Sequence, residues 1–250
     1  MFIYETTENF LKDKTILITG AGDGIGKAIA ECYANFGANI ILLGKTVSKL
    51  EKVYDSLIRL GKQEHTIIPW DLKGASEQNY QDMNDAISHS YGALDGLVLN
   101  AGIISALMPF ESIDMKAFDD MMQVNLRANV LLIKSLLPTL SKAQNASIIC
   151  NSSSVGRKGR AFWGGYAISK FALEGLMQVV ADEYSHTSIR CNCVNPGAVR
   201  TAMRAKVYPG EDPNSLKNPS EIMPIYCYLM SNDSLHVNNK SINAQERCFL

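Results

Sequence analysis

Long apolar runs are missing from this chain. Although 46% of its 250 residues are hydrophobic, no stretch approaches the ~18 continuous apolar residues of a membrane-spanning helix, so no such span is expected. The opening MFIYETTENFLKDK lacks the basic start and apolar core of an export signal, and the expected location is cytoplasmic. No metal pattern is present either: the four histidines hold no ligand spacing, and the six cysteines (32, 150, 191, 193, 227 and 248) include no Cys-x-x-Cys. Most of those cysteines sit inside apolar runs, which suits small buried side chains better than disulfides. Charge of neither sign prevails, with 24 Lys and Arg against 25 Asp and Glu and a formal net charge of -1. Such a balance argues against nucleic acid as the main partner.

What the chain does have is a strand that breaks into hydroxyls and then into a helix, residues 148–173, IICNSSSVGRKGRAFWGGYAISKFAL. Ile148, Ile149 and Cys150 are apolar and β-favouring, Ser152, Ser153 and Ser154 end the strand, and a loop rich in Gly, Arg and Lys leads to a helix opened by Tyr166. Tyr166 and Lys170 stand four apart and so share a helix face. A free phenol titrates near pH ~10, and a fixed cation beside it stabilises the phenolate and lowers that value. A phenol tuned in this way serves as general acid or base. Ser153 lies thirteen residues before Tyr166, at the end of the preceding strand, where both hydroxyls can face one small substrate atom.

A second pattern opens the chain. Residues 14–19 (KTILIT) read as a short strand that runs into Gly20, Gly22, Asp23, Gly24, Ile25 and Gly26 and then into a helix through Phe36. Glycines between strand and helix let the backbone approach a pyrophosphate, and the free N–H groups of the helix start favour the anion. The next strand, 39–43, ends in Gly44-Lys45, where a protein selecting an unphosphorylated ribose usually places Asp or Glu. Lys45 would attract a phosphate, which favours NADP(H) and leaves NAD(H) possible; a merely solvated Lys45 and the nearby Asp23 weigh against that preference. Residues 47–60 read as an amphipathic helix with Val47, Leu50, Val53, Leu57 and Leu60 on one stripe. The third strand, 67–70, leads to Asp71 and Leu72; Asp71 either accepts from an adenine amine or caps the following helix, 76–91. The fourth, 94–99, runs into Asn100, Ala101 and Gly102, small enough for backbone and cofactor to come close.

TGAGDGIG at 19–26, LNAG at 99–102, Asn125, Ser153, Tyr166-x-x-x-Lys170 and Pro196-Gly197, in this order, resemble the short-chain dehydrogenase/reductase family over nearly the whole chain. The stretch SSSVGRKGRAFWGGYAISKFALEGLMQVVADEY is similar to a bacterial subgroup known chiefly as uncharacterised oxidoreductases. The resemblance implies reversible hydride transfer between a nicotinamide cofactor and a carbonyl or alcohol substrate. It implies Tyr166 as proton donor and acceptor, Ser153 as the hydroxyl holding the substrate oxygen, and Lys170 as the group that lowers the phenol pKa and binds the nicotinamide ribose. Asn125 resembles the Asn that holds a helix bend and a relay water, and an Asn inside the apolar run MMQVNLRANVLLI needs a buried partner in any case. Pro196, Gly197, Val199 and Thr201 match the family's Pro-Gly-x-x-x-Thr stretch, with the threonine hydroxyl near the carboxamide.

Residues 118–140 read as one long helix and 166–184 as another, both with more apolar surface than a narrow stripe needs. The surplus, with the resemblance, implies a homodimer or homotetramer built on these helices. Arg157, Lys158 and Arg160 form the one dense basic cluster, either a receiver for an acidic substrate or carrier protein or a solvated loop. A strand at 189–195 precedes a Pro-rich segment, and about 198–219 resembles a mobile substrate lid before a last helix at 220–230. The tail KSINAQERCFL departs from the family's closing glycine-rich strand, which leaves substrate closure and part of the subunit interface open. The expected architecture is a single Rossmann-like α/β domain over 1–250, doubly wound, with a mostly parallel sheet flanked by helices on both faces. Against the enzyme stands a catalytically silent nucleotide-binding sensor or scaffold; among enzymes, a 3-oxoacyl carrier-protein reductase competes with a reductase of free carbonyl compounds.

Overall fold

The computed structural model describes residues 2–61 and 63–246. Its strands are β1 (Thr15–Thr19), β2 (Asn39–Gly44), β3 (Thr66–Pro69), β4 (Gly96–Leu99), β5 (Ala146–Asn151), β6 (Ile189–Asn195) and β7 (Ser241–Asn243). They join one sheet in the order β3-β2-β1-β4-β5-β6-β7, and every pairing is parallel, so the sheet is wholly rather than mostly parallel. Strands covered on both faces need apolar residues at every position, and β1, β4 and β5 are buried throughout. Alternation then sorts the residues by face. Ile16 and Ile18 of β1 enter one core with Ile40 and Leu42 of β2, whereas Leu17, Ile41 and Leu43 enter the other.

The first core is covered by α1 (Gly24–Asn35), α2 (Val47–Ile58) and α8 (Met223–Met230). The second lies under α3 (Glu77–Tyr91), α5 (Ala128–Leu140) and α6 (Gly164–Glu183). Two further helices are α4 (Met115–Met122) and α7 (Ala202–Val207). The sequence of strands reverses direction between β1 and β4, which opens the crevice in which ligands of such sheets bind.

Several elements differ from the sequence expectation. Helix α2 stops at Ile58 and buries only Leu50, Val53 and Leu57; Val47 and Leu60 face outward at its ends. The single long helix expected at 118–140 is two helices joined by a π-helical turn, Gln123–Arg127, which contains Asn125. Helix α3 is capped by Ser76, whose hydroxyl accepts from Asn79 N while Asn79 answers in a capping box. Asp71 therefore does not cap it; its carboxylate accepts from Lys73 N at 3.0 Å in a local turn. In the tail a short strand-like piece is what the sequence leads one to expect, and it is β7, which pairs with β6 in parallel, Val194 opposite Ile242. Cys248 lies outside the described residues.

Candidate active site

At the crevice, the end of β1 is tied to the end of β4. Thr19 Oγ1 accepts from the backbone N–H groups of Asn100 (3.0 Å) and Ala101 (2.9 Å), and Asn100 Nδ2 donates to Thr19 O at 3.0 Å. Gly20 (φ +65°) and Gly24 (φ +53°) take the left-handed conformation that keeps the turn close to the strand. A Cβ on Gly26 would lie 2.3 Å from Gly20 O and 2.5 Å from Asn100 Nδ2, so only glycine lets α1 start against this loop. Gly22 faces the other way, against Lys49. Asp23 caps α1 through Gly24 N at 2.7 Å and meets Lys49 Nζ at 2.5 Å. That ammonium holds the Asp23 carboxyl below its usual range, so the negative charge in the turn is already compensated.

Gly20, Asp23, Gly24, Asn100, Gly102 and Thr201 line a cleft of about 770 Å³ together with Tyr166, Lys170 and Pro196. From Gly20, Ala101 and Gly102 a second cavity of about 700 Å³ continues past Lys45, Trp70, Asp71 and Leu72. The joined trough fits a dinucleotide: glycines where a backbone must come close, an open helix start, and an apolar slot beside Trp70 for a flat ring. Of the lysines at its outer end, Lys73 pairs with Asp120 at 2.5 Å, whereas Lys45 has no ion-pair partner among the described residues. Gly22, Gly26 and Asn125 do not line the trough and shape it from behind. Gly197 and Val199 belong to a third cavity of about 560 Å³, which shares Ile25, Ser152, Tyr166, Pro196, Thr201 and Met203 with the cleft.

Ser153 and Tyr166 meet on the wall of that third cavity. Strand β5 delivers the serine, and α6, which begins two residues before the tyrosine, delivers Tyr166 and Lys170 one turn apart. Burial pushes the Tyr166 phenol up to about 12, and the Ser153 hydroxyl pulls against it. Burial likewise pushes Lys170 down to about 8. Desolvation, not the lysine, sets the phenol, contrary to the expected lowering: Lys170 Nζ sits over the ring, 5.6 Å from its centroid, and donates to Asn151 O at 2.6 Å. Asn125 is buried with its amide fully used. Its Oδ1 accepts from Ile103 N (2.8 Å), and its Nδ2 donates to Ile103 O (2.9 Å) and Ser169 Oγ (3.0 Å). Its backbone oxygen, within the π turn, accepts from Asn129 Nδ2 at 2.8 Å.

Two supporting residues escaped sequence reasoning. Asn151 donates to Asn100 Oδ1 (2.6 Å) and accepts from the buried Tyr226 hydroxyl (2.6 Å), so it links the glycine turn, α8 and Lys170. A polar residue ending a fully buried strand was the available signal. Gln245, in the divergent tail, donates to Pro196 O and Ala198 O at 2.9 Å each and so fixes the turn at Gly197 (φ +74°). Of the basic cluster, Arg157 is engaged by Glu174 (3.9 Å) and Asn243, leaving Lys158 and Arg160 on the surface.

The model of the short chain dehydrogenase family matches residues 14–212. The chain belongs to this family. This dehydrogenase is 44% identical over 243 residues to the uncharacterized oxidoreductase YciK of Escherichia coli K12, spanning 97% of this chain and 96% of that protein. It also superposes on a short chain dehydrogenase of Shigella flexneri solved with NADP (TM-score 0.92, 43% identity, 96% of this chain and 100% of that one). A further match is one from Escherichia coli CFT073 solved with NADPH (TM-score 0.93, 44% identity, 96% and 100%). As a member of the family the dehydrogenase is an NAD(P)-dependent oxidoreductase. Among its described residues no helix is long and apolar enough to cross a membrane, and no cluster of His, Cys, Asp and Glu could hold a metal ion.

Proposed function

We propose that this dehydrogenase interconverts a small free carbonyl compound and its alcohol with NADP(H), using Ser153 and Tyr166 as hydroxyl donors and Lys170 as the charge behind the phenol. The observation that carries this reading is the cavity wall on which Ser153 and Tyr166 meet, joined to a cleft that Lys170 lines. When bound, the nicotinamide supplies or accepts the hydride. In reduction both hydroxyls donate to the carbonyl oxygen and draw electron density from its carbon. A phenol held at about 12 keeps its proton at neutral pH, so Tyr166 waits as an acid. It gives that proton up as the substrate oxygen becomes an alkoxide, and the Lys170 ammonium stabilises the phenolate that remains. Asn125, with both ends of its amide occupied, acts as a positioning residue that fixes the bend below Gly102.

Lys45 supports NADP(H): it borders the ribose end of the trough uncompensated, and no carboxylate follows β2 to repel a phosphate. The NADP and NADPH complexes of similar proteins agree with it. Asp71 borders the same cavity and suits an adenine amine. A carrier-bound substrate is less favoured, because Arg157 is held by Glu174 and Asn243. A silent sensor is disfavoured because the Ser, Tyr, Lys and Asn are all present in one assembly. We take the segment 198–219, with α7, as the substrate lid of a single domain located in the cytoplasm. The test has two arms. Titration should show tighter binding of NADPH than of NADH, and a panel of ketones with NADPH should show turnover. Tyr166→Phe should cut kcat by about 10²- to 10⁴-fold, the usual worth of a general acid, with NADPH affinity little changed. A Phe variant that still turns over normally would remove Tyr166 from the reaction.

A further inference from the structure

The third cavity has a polar end and an apolar end. Ser153 and Tyr166 stand at the first; Ile104, Trp163, Val207 and Tyr208 line the second, and among the described residues Arg204 is the one charged residue on its wall. That guanidinium is already committed. Its Nε and Nη2 donate to the two carboxylate oxygens of Glu211 at 2.6 Å each, a bidentate pair with both side chains only about a quarter exposed, at 25% and 27%. Its flat face is covered as well, with Cζ 4.0 Å from the ring centroid of Tyr208. Tyr208 leans on Trp163 (6.3 Å between centroids) and Trp163 on Tyr166 (5.8 Å), so an aromatic wall runs from the phenol to the ion pair.

An anionic substrate would need a free cation here, and among the described residues the only one that lines the wall has a partner tethered seven residues away in the same segment, while Lys206, outside the wall, donates to Ile104 O at 3.4 Å. Displacing Glu211 would also break a bidentate pair in which Arg204 holds that carboxyl below its usual range. From this geometry we propose that Arg204 and Glu211 close the outer end of the pocket as a compensated pair. The pocket thereby selects uncharged carbonyl compounds with an apolar, ring-sized body and turns away carboxylates and phosphates. The inference rests on the hydride-transfer reading above and adds the substrate class.

Three probes of one skeleton test it with the NADPH-loaded enzyme: 4-methylcyclohexanone, methyl 4-oxocyclohexanecarboxylate and the free 4-oxocyclohexanecarboxylate. The two neutral ketones should exceed the acid in kcat/KM by at least about tenfold, mainly through KM, since a like-for-like change of one buried charge is worth that much or more. Glu211→Gln should shrink the ester-to-acid ratio at least about fivefold by freeing the guanidinium, whereas Arg204→Gln should enlarge it by leaving Glu211 unpaired. A lid that is simply disordered by either change would move all three probes together, and parallel losses in both variants would overturn the proposal. So would a wild-type preference for the acid. If none of the three is reduced, the hydride-transfer reading suffers, and calorimetric binding to the loaded enzyme still decides this one: neutral ketones binding ahead of the acid support it. The reverse order, or no binding of any probe, overturns it.

Discussion

Lys170 is buried yet ionisable, and burial pushes its pKa from 10.5 down to about 8. The folded state therefore disfavours the ammonium relative to the unfolded chain. Below pH 8 both states are charged and the whole penalty is present, about 3 kcal/mol from the size of the shift. As pH rises from about 8 towards 10.5, the folded protein gives up this proton before the unfolded one does, and stability from this group rises. Lys170→Met should consequently be at least as stable as the parent at pH 7, with the lost bond to Asn151 O taking back about 1 kcal/mol. Its advantage should shrink by pH 10, while ketone reduction is lost at both. Urea unfolding at the two pH values reads this directly, and a variant several kcal/mol weaker at pH 7 would show that the lysine is structural. Ser153, Tyr166 and Lys170 were legible because a helix fixes which residues share a face and a strand end fixes where a serine stands. The sense of the phenol shift was not, since it depends on how completely the helices and Trp163 strip water from the ring, a property of packing.

At the scale of elements, the glycine turn separates two positions that look alike in sequence. A methyl on Gly26 would sit 2.3 Å from Gly20 O, a backbone atom fixed by β1, whereas one on Gly22 would sit 3.0 Å from the Lys49 side chain. Gly26→Ala should cost about 1–3 kcal/mol, as overpacking does, and weaken NADPH binding by shifting the turn; Gly22→Ala should do much less of both. Chemical denaturation and a nucleotide titration on the pair of variants check it, and equal effects would mean that the loop yields freely. The strands and most helices were readable because two buried faces demand unbroken apolar runs and one demands a stripe. The π turn was invisible to the apolar pattern, because one extra residue in a helical circuit leaves 118–140 nearly intact; the resemblance alone implied a bend at Asn125, and the partners of that residue show how it is held. The role of Asp71 was open because a helix cap and an adenine acceptor call for the same side chain, and only the Ser76–Asn79 capping box shows that α3 is capped elsewhere. The Gln245 clamp is held by contacts across nearly fifty residues, which local spacing does not carry.

For the whole molecule, the apolar excess on the two long helices resolves into a defined stripe. Ile168 (42% exposed), Phe171 (45%) and Val179 (61%) follow one side of α6, with Gly175 between them facing open space, and Val130 (39%) stands out from α5. Spacings of three, four and four residues keep them on one helical face. They lie opposite the side of α6 that buries Leu173 and Met177 in the sheet core, so the domain has no use for them. Large apolar groups gathered on a flat face lose roughly 25 cal/mol for each Å² of apolar area left in water, which a second copy can recover by a two-fold pairing of the same helix. We expect a homodimer or homotetramer, that is, a sedimentation mass of two or four times 27.5 kDa at micromolar concentration. Phe171→Glu combined with Val179→Lys should shift it towards the single chain without weakening NADPH binding, because neither residue lines the nucleotide trough. A parent protein that sediments as one chain would leave the stripe uncovered and remove the reason for pairing. A double variant that remains assembled would move the contact to another face, while the trough, built within one chain, would bind the nucleotide in either case.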